Sequence, residues 1–252
     1  MLEIQNVSKV YDDGTRALND VTFDVEDGEF LVIIGLSGSG KSTLLRCINR
    51  LIEPTSGRII YKGQDITAAN PAELRRIRRQ IGMVFQHFNL VRRSSVLRNV
   101  LSGRLGYVST WRSVLGLWPR EDREKAMENL ELVGIANKAR NRADELSGGQ
   151  QQRVGIARAL MQDPTLMLAD EPVASLDPAL ADSVMQYLEK LNKERNVTVL
   201  CSLHVLGLAR RYATRIIALK AGELVYDGDP QGINEARFRE IYGDEAVEHS
   251  LR

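Results

Sequence analysis

The sequence has few cysteines and no long apolar run, and each scarcity excludes a class of protein. Cys47 and Cys201 are the two cysteines of 252 residues. They lie far apart and without metal-ligand spacing, so we expect both to be reduced, buried side chains of a cytosolic protein. The longest apolar runs, such as residues 30–35, fall well short of the roughly 20 residues that a membrane-spanning helix needs.

The sequence also lacks a strong charge of either sign and a recognisable secretory signal. Its formal net charge is +1, so no general basic excess favours nucleic acid, and we expect no nucleic-acid partner. Basic pairs at residues 75–76, 78–79 and 92–93 are interpreted as solvated faces, in preference to nucleic-acid or lipid sites. The N-terminus shows no charged start followed by an apolar core. The length and the 43% of hydrophobic residues predict a sizeable core in one or two domains.

Hydrophobic periodicity divides the chain into regions of different character. Apolar and polar residues alternate in 2–7 and 17–25, which predicts an antiparallel sheet with one wet face. Almost purely apolar runs predict parallel strands covered on both faces, at 30–34, 166–169 and 197–201. Helical periodicity dominates residues 88–143, with one predicted helix over 123–133. Further helices are predicted over 41–50, 150–161 and 179–195, and a late hairpin over 216–226.

A glycine-rich loop lies between the apolar strand at 30–34 and the helix predicted at 41–50. It fits the phosphate-binding pattern GxxxxGK[ST] fully, through Gly35, Leu36, Ser37, Gly38, Ser39, Gly40, Lys41 and Ser42. The glycines let backbone N–H groups surround phosphate oxygens, and the helix N-terminus adds a positive dipole end. Lys41 is predicted to reach the β- and γ-phosphates of ATP and Ser42 to hold Mg²⁺. Thr43, the next residue, is included in the predicted nucleotide site.

Two acids follow the apolar run at 166–169. Asp170 stands at the carboxyl end of a predicted buried strand, where it could hold Mg²⁺ directly or through water. Glu171 follows where the chain leaves the sheet, and a carboxylate there could orient and partly deprotonate an attacking water. The alternative is a pair that caps the strand and meets solvent. With the phosphate loop present, we favour the catalytic interpretation.

The run LSGGQ at residues 146–150 gives the nucleotide site a context. At this point the sequence resembles the ATP-binding cassette (ABC) ATPases, whose signature stands here unchanged. Physically it is a second phosphate cradle, a serine hydroxyl and glycine amides at a helix N-terminus. The resemblance implies that Ser147 and Gly149, with Gly148 and Gln150, bind the γ-phosphate of a nucleotide held by another copy. A turn that merely caps the next helix is the alternative.

The resemblance extends over nearly the whole chain and implies roles for further residues. Tyr11 stands where the family places an aromatic ring on the adenine base. Gln86 matches a glutamine that touches Mg²⁺ and the attacking water, and His204 matches a histidine that contacts the γ-phosphate. Ser175, Leu176 and Asp177 match a loop that crosses between two copies. Glu171, His204 and Gln86 are therefore the expected catalytic residues, and Ser42, Gln86 and Asp170 the expected Mg²⁺ ligands.

The resemblance also implies the fold. We expect an α/β P-loop NTPase with a mixed, largely parallel core sheet, an N-terminal antiparallel β-subdomain and an inserted α-helical subdomain. One ABC ATPase domain would fill residues 1–252. Its core would comprise 1–87 and 163–229, its helical subdomain 88–162 and its C-terminal tail 230–252, without an appended regulatory domain.

The resemblance further implies the partners and the location. Two copies would meet head to tail around shared ATP and drive integral membrane permease subunits, and indirectly a periplasmic or lipid-anchored substrate-binding protein. The chain would lie peripherally on the cytoplasmic face of the inner membrane. The permease would contact the helical subdomain near residues 88–93. Trp111 and Trp118 are expected to share one helical face and to pack within that subdomain, or to face the permease.

The cargo interpretation depends on resemblance alone. Residues 85–93, 101–112, 169–178 and 202–204 look like the ATPase of bacterial phosphonate importers, whereas Val205, Leu206 and Gly207 depart from the usual Gln-Val-Asp. The departure leaves open a related phosphorus cargo or simple divergence. Three alternatives stay open: an importer ATPase for another small solute, a soluble cassette acting on DNA or ribosomes, and an accessory ATPase of phosphonate metabolism.

Overall fold

The computed structural model describes residues 1–174 and 176–243, so the predicted Ser175 and the end of the predicted tail lie outside the described residues. The strands are β1 (Leu2–Val10), β2 (Arg16–Val25), β3 (Phe30–Ile34), β4 (Ser56–Tyr61), β5 (Gln64–Asp65), β6 (Ile81–Val84), β7 (Leu166–Asp170), β8 (Thr198–Ser202), β9 (Arg215–Lys220) and β10 (Glu223–Gly228). The helices are α1 (Lys41–Ile48), α2 (Pro71–Arg79), α3 (Val96–Leu101), α4 (Thr110–Val114), α5 (Arg120–Leu132), α6 (Gly148–Leu160), α7 (Pro178–Arg195), α8 (Leu206–Tyr212) and α9 (Glu235–Tyr242).

The strands form two sheets. The antiparallel sheet has the order β2-β1-β4-β5, with Leu2 opposite Val25 and Tyr61 on its two neighbours. The second sheet has the order β10-β9-β3-β8-β7-β6 and is parallel except for the antiparallel pair β9 and β10. The predicted antiparallel N-terminal sheet, the parallel strands and the late hairpin are confirmed, and the fold is the expected mixed α/β arrangement.

Alternation along β3 explains why that strand is apolar throughout. Phe30, Val32 and Ile34 point into one apolar cluster, and Leu31 and Ile33 point into another on the opposite face of the sheet. A central strand buried on both faces needs apolar residues at every position. Both cysteines lie in this core: Cys47 and Cys201 are free and buried, and burial raises the pKa of Cys47 to about 12.

Helices and short 3-10 turns occupy the chain between β6 and β7. Among the described residues of this stretch, the only β pairing is an isolated bridge between Ser95 and Arg142. In the predicted helix at 123–133, now α5, Ala126 and Leu130 are buried, as is Val133 at its C-cap. No helix within residues 1–174 and 176–243 has the length and the hydrophobicity that crossing a bilayer requires.

The expectation that the two tryptophans share a helical face and pack inside the helical subdomain is wrong in two respects. Trp111 lies in α4 and is 61% exposed, whereas Trp118 lies beyond the end of α4 and packs partly buried against the core. Gly116, at φ 68°, separates the two in a turn that a continuous helix does not allow. They therefore do not share one helical face, and Trp111 does not pack inside the protein.

Several elements were not predicted. α2 is one of them, although Asn70 and Glu73 form a capping box around Pro71 and so mark its start. Its composition hides it, because arginine fills four of its nine positions and only Ile77 is buried. β4, β5, α8 and α9 were also missed, and each is short or only partly buried.

Candidate functional site

Four neighbouring parallel strands deliver the predicted site residues to one edge of the core sheet. The phosphate loop follows β3, Gln86 follows β6, Glu171 follows β7 and His204 follows β8. The carboxyl ends of parallel strands meet at one edge, where α/β proteins commonly bind their ligands. A cleft of about 360 Å³ opens there, lined by Thr15, Ala17, the seven residues 37–43, Gln86, Glu171 and His204.

Glycine is required at two points of the phosphate loop. Gly35 has φ 146°, and a Cβ there would lie 2.2 Å from the Leu219 carbonyl oxygen. Gly40, the N-cap of α1, has φ 103°, and its Cβ would lie 2.3 Å from the Ala17 carbonyl oxygen. Both values are far below any real contact, so the loop can pack against β9 and β2 only without side chains at these positions.

Lys41 turns its side chain back into the loop. Its Nζ donates to the Gly35 and Leu36 carbonyl oxygens, at 2.8 and 2.9 Å, and lies 4.0 Å from Glu171 Oε1. Burial lowers the pKa of the Lys41 ammonium, and the carboxylates of Glu171 and Asp170 oppose this shift. The buried hydroxyl of Ser39 has no hydrogen-bond partner among the described residues. The loop therefore holds a positive charge and a free donor group, as an anion site needs.

Asp170 is fully buried and surrounded by polar partners. Its Oδ1 accepts from Ser42 Oγ at 2.7 Å and from Ser202 Oγ at 3.3 Å, and its Oδ2 accepts from Arg46 Nη2 at 3.3 Å. The contact between Ser42 and Asp170 brings two predicted Mg²⁺ ligands together. No group of three or more His, Cys, Asp or Glu side chains gathers as a metal site in the described part of the chain. Few protein oxygens are what Mg²⁺ usually takes when phosphates complete its shell.

Glu171 is the meeting point of the three expected catalytic residues. Gln86 Nε2 donates to Glu171 Oε2 at 2.8 Å, and His204 Nε2 is hydrogen-bonded to Glu171 Oε1. The backbone of Glu171 has φ 46°, in the left-handed region that a non-glycine residue reaches at a cost of about 1–2 kcal/mol. Strain of this kind is common where a side chain must be presented at a functional site.

Tyr11 lies at the rim of the same site. Its hydroxyl is 3.2 Å from Thr43 Oγ1, at the start of α1, and Lys9 Nζ stands 5.3 Å from its ring centroid. The ring is therefore next to the helix whose N-terminus carries the phosphate loop. This is a location from which an aromatic ring could cover a bound base.

The LSGGQ segment lies elsewhere in the chain's own fold. Ser147 is the N-cap of α6, and Ser147 and Gln150 form a reciprocal capping box. Ser147 and Gln150 line a separate cleft of about 220 Å³, and no residue of 146–150 is among the described residues that line the phosphate cleft. Asp177 caps α7, its carboxylate accepting from the Leu180 N–H at 3.1 Å. The structure thus brings together every predicted site residue that follows the core strands. The LSGGQ segment and Asp177 lie outside the lining of the phosphate cleft.

Two side chains of the site, Arg46 and Ser202, are not among the residues predicted from the sequence. Arg46 lies one helical turn beyond Ser42, so a periodicity argument could have found it. The contact between Ser202 and Asp170 could not be predicted from neighbouring residues in the sequence, because it forms only through the pairing of β7 with β8. The departure at 205–207 begins α8, and Val205 and Gly207 line an apolar cavity of about 550 Å³ beside His204.

Comparisons with known proteins agree with this geometry. Residues 18–174 match the family model described as ABC transporter. The phosphonates import ATP-binding protein PhnC of Bdellovibrio bacteriovorus is 58% identical over 98% of this chain and 95% of its own length. That of Bacillus thuringiensis subsp. konkukian is 56% identical over 100% and 98%.

Solved structures give the same result. A dimeric ATP-binding cassette in a post-hydrolysis state, bound to ADP and Pi, has a TM-score of 0.82 and 38% identity, over 91% of this chain and 99% of that one. A nucleotide-free cassette from an ABC transporter has a TM-score of 0.81 and 30% identity, over 100% and 98%. The chain therefore belongs to the ABC transporter family and has the fold of its ATP-binding cassettes.

Proposed function

We propose that this chain is the ATP-hydrolysing subunit of an importer for phosphonates or closely related phosphorus compounds. The relatives at 56–58% identity over nearly the whole chain are named phosphonates import ATP-binding proteins. The observation that carries the chemical part is the convergence of Gln86 and His204 on the Glu171 carboxylate, beside a complete phosphate loop. This arrangement supports phosphoryl transfer from a bound nucleotide to water.

In the proposed reaction, backbone amides of the loop and the N-terminus of α1 bind the phosphates of ATP. Lys41 leaves the carbonyl oxygens of Gly35 and Leu36 and turns to the β- and γ-phosphates. Ser42 and Asp170 would hold Mg²⁺ together with Gln86, since all three carry oxygen atoms that suit this hard cation. A bound Mg²⁺ neutralises phosphate charge. Tyr11 covers the adenine base from the rim.

Glu171 acts as the general base in this proposal. Its carboxylate orients the attacking water and accepts its proton. Gln86 and His204 fix the two carboxylate oxygens from opposite neighbouring loops, which limits the orientations that Glu171 can adopt. His204 also contacts the γ-phosphate once nucleotide is bound, and Gln86 relays its presence to the chain between β6 and β7.

Two copies act together in the proposed cycle. Within one chain the phosphate loop and Ser147 line different clefts, so a shared nucleotide needs the loop of one copy and the signature residues 147–150 of the other. ATP then holds the dimer closed, because binding to the closed state alone stabilises that state. Leu176 and Asp177 lie in the segment that crosses between the copies. Hydrolysis removes the bridge, and the dimer opens.

The proposed dimer is part of a larger membrane assembly. The dimer lies on the cytoplasmic face of the inner membrane and drives permease subunits, and a substrate-binding protein on the other side delivers the cargo. Residues 88–162 form the subdomain that contacts the permease, residues 1–87 and 163–229 form the nucleotide-binding core, and 230–252 form the tail. This division gives the γ-phosphate signal at Gln86 a direct path toward the membrane.

Replacing Glu171 with glutamine tests the chemistry. We expect Glu171→Gln to bind ATP with wild-type affinity and to lose about 10²–10⁴-fold in turnover, since the base is gone. It should also accumulate as an ATP-dependent dimer in size-exclusion chromatography. Glu194→Gln, a surface change in an exposed pair with Lys190, is the control and should behave as wild type. A Glu171→Gln protein with normal steady-state turnover would rule out the proposed base.

Growth on a phosphonate as the only phosphorus source tests the cargo. Cells lacking the gene should fail to grow on methylphosphonate, grow normally on inorganic phosphate, and recover with the wild-type gene but not with Glu171→Gln. Growth of the deletion strain on methylphosphonate would reject the cargo assignment and leave the ATPase assignment intact. Lost growth together with undiminished uptake of the labelled compound would favour the accessory role.

A further inference from the structure

Ser202 is a buried hydroxyl with no part in the roles assigned above. It is the last residue of β8, fully buried, and faces Asp170 across the pairing of β7 with β8. The Glu171 N–H donates to Ser202 Oγ at 2.9 Å, and Ser202 Oγ lies 3.3 Å from Asp170 Oδ1. A hydroxyl has one hydrogen to give, and an ionised carboxylate can only accept. Ser202 therefore accepts from the Glu171 backbone and donates to the Asp170 side chain.

We infer that Ser202 is a positioning residue that couples the carboxylate of Asp170 to the backbone of Glu171. The ladder between β7 and β8 ends at Asp170 and Ser202, and the next N–H, that of Glu171, finds its acceptor on a side chain. Glu171 also has the left-handed φ of 46°. A conformation of this kind persists only where surrounding contacts determine it, and the hydrogen bond to Ser202 is one such contact.

The position of the Glu171 backbone determines where its carboxylate can lie. Gln86 and His204 fix the Glu171 carboxylate, but they can do so only if its backbone stays at the end of β7. Without the Ser202 hydroxyl, the Glu171 N–H loses its acceptor and the left-handed turn loses one restraint. The carboxylate then samples more orientations, which slows a step that depends on its placement. Nucleotide affinity depends mainly on the phosphate loop, so the two effects should separate.

Amide exchange tests the structural half of this inference without any hydrolysis. In nucleotide-free protein, Ser202→Ala should make the Glu171 amide exchange at least about tenfold faster by NMR, with the amides of β3 unchanged. Cys201→Ala, which removes a buried γ atom from the preceding residue of the same strand, is the matched control and should leave the Glu171 amide protected. Unchanged protection of Glu171 in Ser202→Ala would overturn the inference.

Kinetics test the other half, which rests on the proposed ATP hydrolysis. Ser202→Ala should lower kcat about 10- to 100-fold with ATP affinity changed less than about twofold, and Cys201→Ala should keep its kcat. In a Glu171→Gln background Ser202→Ala should cost nothing further, because it acts through Glu171. Ser202→Thr, which keeps the hydroxyl, should restore most of the protection of the Glu171 amide.

The outcomes separate the two proposals. An equal loss of kcat with and without Glu171, or a parallel loss of ATP affinity and melting temperature, would make Ser202 merely structural and overturn its positioning role. If the wild type failed to hydrolyse ATP, the proposed function would be rejected. The positioning role of Ser202 could still be tested, because amide exchange at Glu171 does not require hydrolysis.

Discussion

The phosphate cleft buries polar and charged side chains, whereas the segment 105–117 of the same chain exposes large apolar ones. Lys41, which lines the cleft, and Asp170, which accepts a hydrogen bond from the lining residue Ser42, are buried, and each makes at least two polar contacts. In the segment 105–117, large apolar side chains face solvent. It contains six of the ten exposed large apolar residues found among the described ones, namely Leu105, Tyr107, Trp111, Val114, Leu115 and Leu117. Lys41 and Asp170 find their polar partners within a single chain, whereas the segment 105–117 has surface that another molecule could cover.

The buried polar residues are suited to chemistry, and the exposed apolar residues are suited to contact with another molecule. Residues that follow the core strands are held by a sheet buried on both faces, so their geometry exists before any partner arrives. The exposed face of α4 is apolar at Trp111, Val114 and Leu115, which are spaced as neighbours on one side of a helix. Arg98 and Arg112 lie nearby: the Arg98 guanidinium is next to Gly116, and that of Arg112 is 6.0 Å from the Trp111 ring. Aromatic, aliphatic and arginine side chains together are typical of protein interfaces.

The greatest loss of function is expected in the phosphate cleft. Lys41→Ala should reduce ATP affinity by about 100-fold or more, because the change removes the buried cation that we propose contacts the phosphates of ATP. Equilibrium titration with a fluorescent ATP analogue measures it. Lys62→Ala, at an exposed surface lysine that donates to Thr165 Oγ1, is the control and should bind normally. Unaltered affinity in Lys41→Ala would mean that the loop does not bind the phosphates through this side chain.

An intermediate effect is expected at the signature serine. Ser147→Ala removes the N-cap of α6 and should lower the free energy of unfolding by about 1 kcal/mol. If the proposed shared site is right, it should also abolish the ATP-dependent dimer of the Glu171→Gln protein while monomer ATP binding persists. Ser95→Ala removes the equivalent cap of α3 and controls for helix stability. Dimers that survive Ser147→Ala would contradict the shared nucleotide.

In the isolated protein, the weakest effect is expected in the exposed segment 105–117. Leu115→Asp should leave ATP hydrolysis by the isolated chain within about twofold of wild type, since the side chain is 64% exposed and does not line the phosphate cleft. If the proposed permease contact of residues 88–162 includes this segment, copurification with a co-expressed permease should fall at least about tenfold, as for an interface hot spot. Leu51→Asp, at a side chain 48% exposed, is the matched control. Equal copurification of all three proteins would place the permease contact elsewhere.

How much of this could be predicted from the sequence depends on how local each interaction is. The phosphate loop was predictable residue by residue, because eight consecutive positions and one following helix define it. The convergence of Gln86, Glu171 and His204 was expected only through resemblance, since 85 and 33 residues separate the interacting pairs. Ser202 and Arg46 were not foreseen. Neither the exposure of Trp111 nor the break in its helix could be predicted from a seven-residue spacing.

Local sequence patterns were enough to predict the core strands β3, β7 and β8, because a short segment that is apolar at every position suits a strand buried on both faces of a sheet. They were also enough to predict the phosphate loop, whose glycines adopt left-handed backbone conformations that other residues reach only at a cost. Tertiary packing sets which strands lie side by side. The order β3-β8-β7-β6 places Asp170 opposite Ser202 and brings four loops to one cleft. Strand order depends on packing between distant segments, and short-range periodicity carries no information about it.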